Sequence, residues 1–367
     1  MVNFWTKFSG TKIATLQEGV TTSIELPLAS TEDTSSPDSS FNVEDIAVSD
    51  TTGSYPSTTE ISLIGAAITV TSDGDPYPAL AGDPLTNTDA RLFPSNPNDI
   101  TDQTHQFTFN YRAGTNSNNP QLTSLGAQGI ATNGVVFFSP SAGAGPLPGS
   151  TVDPLPGFNW NAVLYKIAYG VDTAGGHAED NGEYHYHSGS FLIYGWKTEK
   201  FISSNAYYNS SQYVASDSSI DNFRHADGHS KVLGFCFDGY PIYGPYGYST
   251  PGNNTSGIRQ QMSSYKTKVT EAIGRGFSYS EYPAGSFLQD YEFVEDLGTL
   301  DKHNGRFCVT PDYPAGTYAY FLTFEDNNFT SPTYPYIIGP TTKEQRTLGV
   351  SQSLAKTEII SGNLPLG

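Results

Sequence analysis

Short apolar runs separated by polar turns fill most of the chain beyond residue 60. The segment "EISLIGAAITVTSDG", which begins at Glu60, combines β-branched residues with a closing turn signal. In "HQFTFNYRAG" the pattern alternates, so that Phe107 and Phe109 share one face, and an Asn133-Gly134 turn precedes the apolar run "VVFF". These patterns predict a mainly all-β domain of many short strands, either a β-sandwich or a barrel-like fold.

One segment follows a different period. In residues 257–273 the apolar side chains recur every three to four positions, and Gly274 offers a stop at the carboxyl end. The apolar positions are Ile258, Met262, Tyr265, Val269 and Ile273. We therefore predict one helix over 257–273.

The composition divides the chain into three parts. Residues 1–58 read as an extended N-terminal arm that ends in a Ser/Thr/Pro-rich linker. Residues 59–340 hold the strand patterns and form the predicted domain. Residues 341–367 are polar and read as a C-terminal tail.

Charge, hydropathy and cysteine content limit the binding partners, the location and the thiol chemistry that we expect for this protein. The formal net charge is −19, which argues against nucleic acid and anionic membrane surfaces as partners. No apolar run reaches about 18 residues, so we expect no membrane span. The N-terminus "MVNFWTKFSG" lacks the features of a signal peptide, so we expect synthesis in a cytoplasm. Cys236 and Cys308 both lie in apolar segments, which favours buried free thiols, with a disulfide as the alternative.

The candidate chemistry centres on Gly182–Ser188, "GEYHYHS". Because side chains alternate along a strand, His185 and His187 would share one face, and Tyr184 and Tyr186 would share the other. Two imidazoles at this spacing can bind one metal ion, but zinc-type sites need a third or fourth ligand.

The remaining ligands must come from other segments. Candidates are His177 and Asp180 in "GGHAED", His225 and His229 in "HADGHS", His303 in "LDKHNG" and Asp238 in "CFDGYP". Imidazole with carboxylate suits a transition-metal ion such as zinc or copper. The alternative is that these histidines hydrogen-bond to backbone at turns while the tyrosines pack in the interior.

Other enzyme signatures are missing from the sequence. It contains no Gly-x-Ser-x-Gly, no phosphate-binding loop, no His-Glu-x-x-His and no dinucleotide fingerprint, which favours a protein that is not an enzyme. Tyr240 and Tyr243, in "DGYPIYGPYG", either line a pocket or pack inside the domain.

Several motifs together resemble the YHYH-domain family. They are "NGVVFF" (133–138), "GEYHYH" (182–187), "SKVLGFCFDGYPIYGPYG" (230–247), "LDKHNGRF" (300–307), "GTYAYFLT" (316–323) and "YPYIIGP" (334–340). The tetrapeptide alone is a weak signal, whereas its combination with "GF-x-FDGYPIYGP" is specific. Members of this family also resemble virion proteins of tailed phages that infect marine cyanobacteria.

The resemblance leads to a first functional hypothesis. We expect a structural component of a tailed-phage virion, in the tail, the baseplate or on the capsid surface. Residues 59–340 would be a rigid displayed domain, and residues 1–58 and 341–367 would bind neighbouring virion proteins. One alternative is a metal-binding or metal-dependent enzyme domain that uses the histidine strand. Another is a module that binds host-surface glycans through exposed tyrosines.

Overall fold

The structure is a computed structural model that describes residues 58–76, 96, 98–172, 174–189, 224–326 and 328–350. These residues form short strands, with one 3-10 turn at Leu288–Asp290. No helix in the described ranges has the length and apolar character needed to cross a membrane. The predicted all-β fold is therefore confirmed.

The strands are numbered along the chain. They are β1 (Thr59–Ile64), β2 (Ala67–Ser72), β3 (His105–Asn110), β4 (Gln121–Leu122), β5 (Ala127–Ala131), β6 (Val136–Phe138), β7 (Gly176–Ala178), β8 (Tyr184–Tyr186), β9 (Val232–Cys236), β10 (Pro241–Tyr243), β11 (Tyr246–Tyr248), β12 (Ile258–Gln260), β13 (Tyr265–Thr267), β14 (Tyr291–Phe293), β15 (Gly305–Cys308), β16 (Thr317–Phe321), β17 (Phe324–Glu325), β18 (Asn328–Pro332), β19 (Thr341–Thr342) and β20 (Gly349–Val350).

Two sheets carry the architecture. The larger has eight strands in the order β15-β16-β10-β9-β5-β6-β8-β7, and the smaller has the order β1-β2-β3-β20. The pairs β6–β8 and β10–β16 are parallel, whereas the other neighbours in the larger sheet are antiparallel. The hairpin β7–β8 therefore forms one edge of the larger sheet.

The larger sheet is buried on both faces. Along β16, Ala319 and Phe321 belong to the apolar cluster that includes the small sheet, whereas Tyr318 and Tyr320 belong to a second cluster on the opposite face. Every residue of β5, β9 and β16 is buried. This two-sided burial explains the continuous apolar runs in these strands, since a strand covered on both faces does not alternate.

The helix predicted over 257–273 is wrong. The segment instead contains β12, which pairs with β11, and β13, which pairs with β14. Val269 and Ile273 are 89% and 102% exposed, so the apolar positions do not form one buried stripe. The backbone of this segment hydrogen-bonds to two different strands, β11 and β14, instead of forming the helical hydrogen bonds that the three-to-four spacing predicted.

The start of the predicted C-terminal tail is part of the fold. β19 pairs with β4, and β20 pairs with β3 at the edge of the small sheet. Residues 351–367 and all but the last residue of the predicted arm 1–58 lie outside the described residues.

The two cysteines are buried free thiols, as predicted. Burial raises the pKa of the Cys308 thiol to about 11. It also raises the pKa of Cys236 well above its usual value. Both groups are therefore neutral and poorly nucleophilic at physiological pH.

Candidate metal centre

The edge hairpin β7–β8 brings three histidines together. The register places His177 directly opposite His185, and His187 follows β8 immediately. A tight turn connects the strands, in which Gly182 has a positive φ of 81° and the Glu179 amide donates to the Glu183 carbonyl at 3.0 Å. Glycine tolerates this left-handed conformation at little cost, so the turn fixes the register of the hairpin.

The two faces of β8 have different roles. The rings of Tyr184 and Tyr186 lie 5.4 Å apart and point into the core. The Tyr184 hydroxyl donates to Asp172 at 2.6 Å, and the Tyr186 hydroxyl accepts from the Asn133 amide at 2.9 Å. The histidines occupy the opposite face, as the strand alternation predicted.

The three imidazoles meet through the same ring nitrogen. His187 Nε2 lies 3.0 Å from His185 Nε2 and 3.2 Å from His177 Nε2. One ligand atom from each of the three lies within 4.8 Å of the others. Among the described residues, no other set of three or more histidine, cysteine or acidic side chains lies close enough together to bind one metal ion.

The other ring nitrogen of each histidine faces a backbone carbonyl. His177 Nδ1 lies 2.5 Å from the Tyr169 oxygen, His187 Nδ1 lies 2.7 Å from the Ser139 oxygen, and His185 Nδ1 lies 3.3 Å from the Glu183 oxygen. A carbonyl only accepts hydrogen bonds, so the two short contacts place the ring proton of His177 and His187 on Nδ1, and the longer His185 contact is compatible with the same tautomer. In this tautomer each Nε2 presents a lone pair, which is the ligand form that metal centres use.

Burial keeps these imidazoles neutral. His185 is fully buried and His187 is 4% exposed. Burial, with a smaller contribution from the neighbouring His177, lowers the pKa of His187 to about 3. Burial also lowers the pKa of His185 well below its usual value and lowers that of His177. Near neutral pH the three imidazoles therefore do not take up a second proton at Nε2.

An aromatic ring and one carboxylate lie beside the cluster, and a second carboxylate lies on the same turn. The Phe138 ring stacks on His185 with 3.8 Å between centroids. Glu179 Oε1 lies 4.0 Å from His185 Nε2, and its side chain is 51% exposed. Glu183 reaches His105 Nε2 at 3.6 Å, and burial together with the charge of Glu179 raises the pKa of Glu183 to about 7.

The other predicted ligands have different partners. His229 donates from Nδ1 to the Ser230 carbonyl at 2.7 Å, and its ring lies among Tyr243 and Tyr248. His303 Nδ1 lies 2.7 Å from Thr341 Oγ1. Burial lowers the pKa of both rings, to about 4 for His229.

Asp238 also serves the interior of the fold. Its Oδ2 accepts from the Tyr320 hydroxyl at 2.6 Å and from the Glu344 amide at 3.2 Å. Burial raises the pKa of this carboxyl. The structure therefore places His177 with the YHYH histidines. The other candidates are not part of that group, namely Asp180, His225, His229, His303 and Asp238.

The candidate tyrosines all pack inside the domain. Tyr184, Tyr186, Tyr240 and Tyr243 are between 0% and 1% exposed. The Tyr243 hydroxyl donates to the buried Asp312 at 2.9 Å. A sugar needs an accessible ring face, so these four side chains do not offer the exposed platform that the glycan hypothesis required.

Sequence reasoning missed the residues that complete the site. The Ser139 carbonyl comes from a segment 48 positions before His187 and the Tyr169 carbonyl from eight positions before His177, and a backbone acceptor leaves no signal in the sequence. Phe138 was placed on a strand, but its contact with His185 depends on the parallel pairing of β6 with β8. Glu179 stands two positions after His177, so its nearness was detectable once the hairpin was recognised.

Comparison with known proteins gives a family for this chain. No curated protein and no solved structure matches it. The family model described as "YHYH protein" matches residues 106–334, which is more than half of the chain and includes all three histidines of the cluster. The chain therefore belongs to the YHYH protein family.

Proposed function

We propose that this domain binds one transition-metal ion through the Nε2 atoms of His177, His185 and His187. The observation that carries the proposal is the convergence of three Nε2 atoms whose Nδ1 partners are all backbone carbonyls. Neutral imidazole suits zinc, copper, iron and nickel, and the hydrogen-bonded second nitrogen is the usual support of a metal-bound histidine.

Electrostatics explains why this arrangement needs a cation. With every Nδ1 protonated, no Nε2 can donate a hydrogen bond to its neighbour. The contacts of 3.0 and 3.2 Å then set lone pairs against one another in a buried position. An ion between the three nitrogens converts this repulsion into coordination.

The spacing agrees with a tetrahedral ion. A Zn–N bond of about 2.0–2.1 Å requires neighbouring ligand nitrogens to be about 3.3 Å apart. The two Nε2 separations involving His187 lie close to that value. The cluster thus fits three ligands of a four-coordinate centre, with the fourth position supplied from outside the histidines.

Calorimetric titration of chelator-treated protein with Zn²⁺ and Cu²⁺ tests the proposal. We expect one ion per chain, and elemental analysis of natively purified protein should find the same stoichiometry. His187→Asn removes Nε2 but keeps a donor toward the Ser139 carbonyl, so it should abolish tight binding. His225→Gln is the control, because the amide keeps a donor toward Asp312 and the residue lies outside the cluster. Wild-type protein that takes up neither ion would refute the proposal.

We further propose, as a separate matter, the virion role of the whole chain. Its motivation is the expectation that members of the YHYH family resemble virion proteins of tailed marine cyanophages, together with the polar composition of segments 1–58 and 341–367. Most residues of these segments lie outside the described structure, so binding to neighbouring virion proteins stays a prediction. Mass spectrometry of purified particles tests it, and particles that lack this chain would contradict it.

A further inference from the structure

A half-exposed carboxylate stands beside the histidine cluster, at the start of the hairpin turn. Glu179 Oε1 lies 4.0 Å from His185 Nε2, and half of the Glu179 side chain is exposed. Among the described residues, the Phe138 ring and the segments that carry the Ser139 and Tyr169 carbonyls also contact the cluster. Within this part of the chain, the Glu179 side of the cluster is open to solvent.

Glu179 lies beside the cluster and is not a member of it. A fourth tetrahedral ligand would be about 3.3 Å from each of the three nitrogens. The group whose ligand atoms are all within 4.8 Å of one another contains only the histidines. Glu179 is close to one of the three nitrogens but is too far from at least one other to be a ligand itself. Its carboxylate can therefore contact a molecule that is bound at the fourth position.

We infer that the metal keeps an open fourth position facing Glu179, and that Glu179 makes this position select small uncharged ligands, such as water, over anions. This inference rests on the metal binding proposed above. Glu179 is a specificity-determining residue here: its carboxylate accepts a hydrogen bond from a neutral ligand and repels a negatively charged one.

The charge around the turn supports this selection. Glu183 is a second carboxylate on the same turn, held near His105, and Asp180 stands between the two. A divalent ion contributes two positive charges, and the exposed Glu179 carboxylate offsets one of them. An anionic ligand at the fourth position would add negative charge next to that carboxylate.

Cobalt(II) offers a readout that needs no catalytic activity, since its visible absorption changes when an added ligand binds the ion. The Co²⁺-loaded protein is titrated with imidazole at pH 8, as a neutral probe, and with azide, as an anion. We expect imidazole to change the spectrum of the wild type. Glu179→Gln should tighten azide binding about tenfold and leave imidazole binding within about twofold, because it removes one charge close to the fourth position.

Asp180→Asn is the matched control, since it removes the same charge from the neighbouring exposed position and should change azide affinity less than about twofold. If Co²⁺ binds but neither probe changes the spectrum, the fourth position is closed and the inference is overturned. Equal azide effects in the two variants would overturn the role of Glu179. Failure of the wild type to bind Co²⁺ would instead refute the metal site itself.

Discussion

Zinc should stabilise this protein against heat, and His187→Asn should remove that stabilisation. The asparagine side chain can keep the hydrogen bond that His187 Nδ1 makes with the Ser139 carbonyl at 2.7 Å. It deletes the Nε2 atom that lies 3.0 Å and 3.2 Å from the other two nitrogens. The substitution thus separates metal ligation from the local hydrogen bonding of this position.

The size of the effect follows from binding linkage. At free zinc of 100 times the dissociation constant, an ion that binds only the folded state adds about 2.7 kcal/mol to the free energy of unfolding. Losing a supporting residue of a metal site costs about 10- to 100-fold in affinity, so losing a direct ligand should cost at least about 100-fold. At the same zinc concentration the variant then gains about 0.4 kcal/mol or less. With about 2–4 °C per kcal/mol, the wild type should gain about 5–10 °C in Tm and the variant about 1 °C.

Thermal unfolding followed by circular dichroism, with chelator or with buffered zinc, measures both quantities. In chelator we expect the variant to lie within about 1 kcal/mol of the wild type, because the loss of packing is offset by relief of lone-pair contact. His225→Gln should show the full zinc response. A zinc-induced shift in His187→Asn equal to that of the wild type would refute the reasoning, as would a wild type that does not respond.

Three further predictions concern stability. In metal-free protein the folded-state pKa of His187 is about 3, below the unfolded value of 6.5, so the unfolded state binds more protons and stability should fall as pH drops below 6.5. The free energy of unfolding should fall by up to about 1.4 kcal/mol per pH unit from this group alone. Urea unfolding at pH 7 and pH 5 measures the loss, and equal stability at the two pH values would contradict the prediction. Asp290→Asn should cost about 3–5 kcal/mol because it leaves the Arg275 guanidinium buried without its partner, whereas Glu292→Gln in an exposed pair should cost less than about 1 kcal/mol. Similar costs in urea unfolding would show that burial does not govern these pairs. Gly234→Ala should destabilise by about 2–3 kcal/mol, because the new Cβ overlaps the backbone of β5, and an unchanged urea midpoint would rule out that close approach.

The sequence predicted what depends on local alternation. The opposite faces of His185 and Tyr184 follow from a strand period of two, and His177 stood close enough along the chain to be a candidate. The segment 257–273 was misread because a three-to-four spacing says nothing about the strands with which β12 and β13 pair. That information lies in β11 and β14, at a distance along the chain.

The selection among candidate ligands also depended on distant pairing. His229 and Asp238 are of residue types that bind metal in many proteins. Their segments, however, flank β9 in the interior of the large sheet, whereas the cluster lies at the β7 edge of that sheet. Strand order is set by how the whole sheet packs, and no single segment encodes it. The polar composition of residues 341–350 likewise concealed β19 and β20, which are short strands held by partners from much earlier in the chain.

The closeness of the three candidate ligands along the chain has a consequence for the order of synthesis. His177 and His187 are only ten positions apart, and the turn between them is made of local hydrogen bonds. On a ribosome this hairpin emerges before β9, β10, β15 and β16, which complete the large sheet. An ion captured at that stage would hold one edge of the sheet while the remaining strands are still being translated.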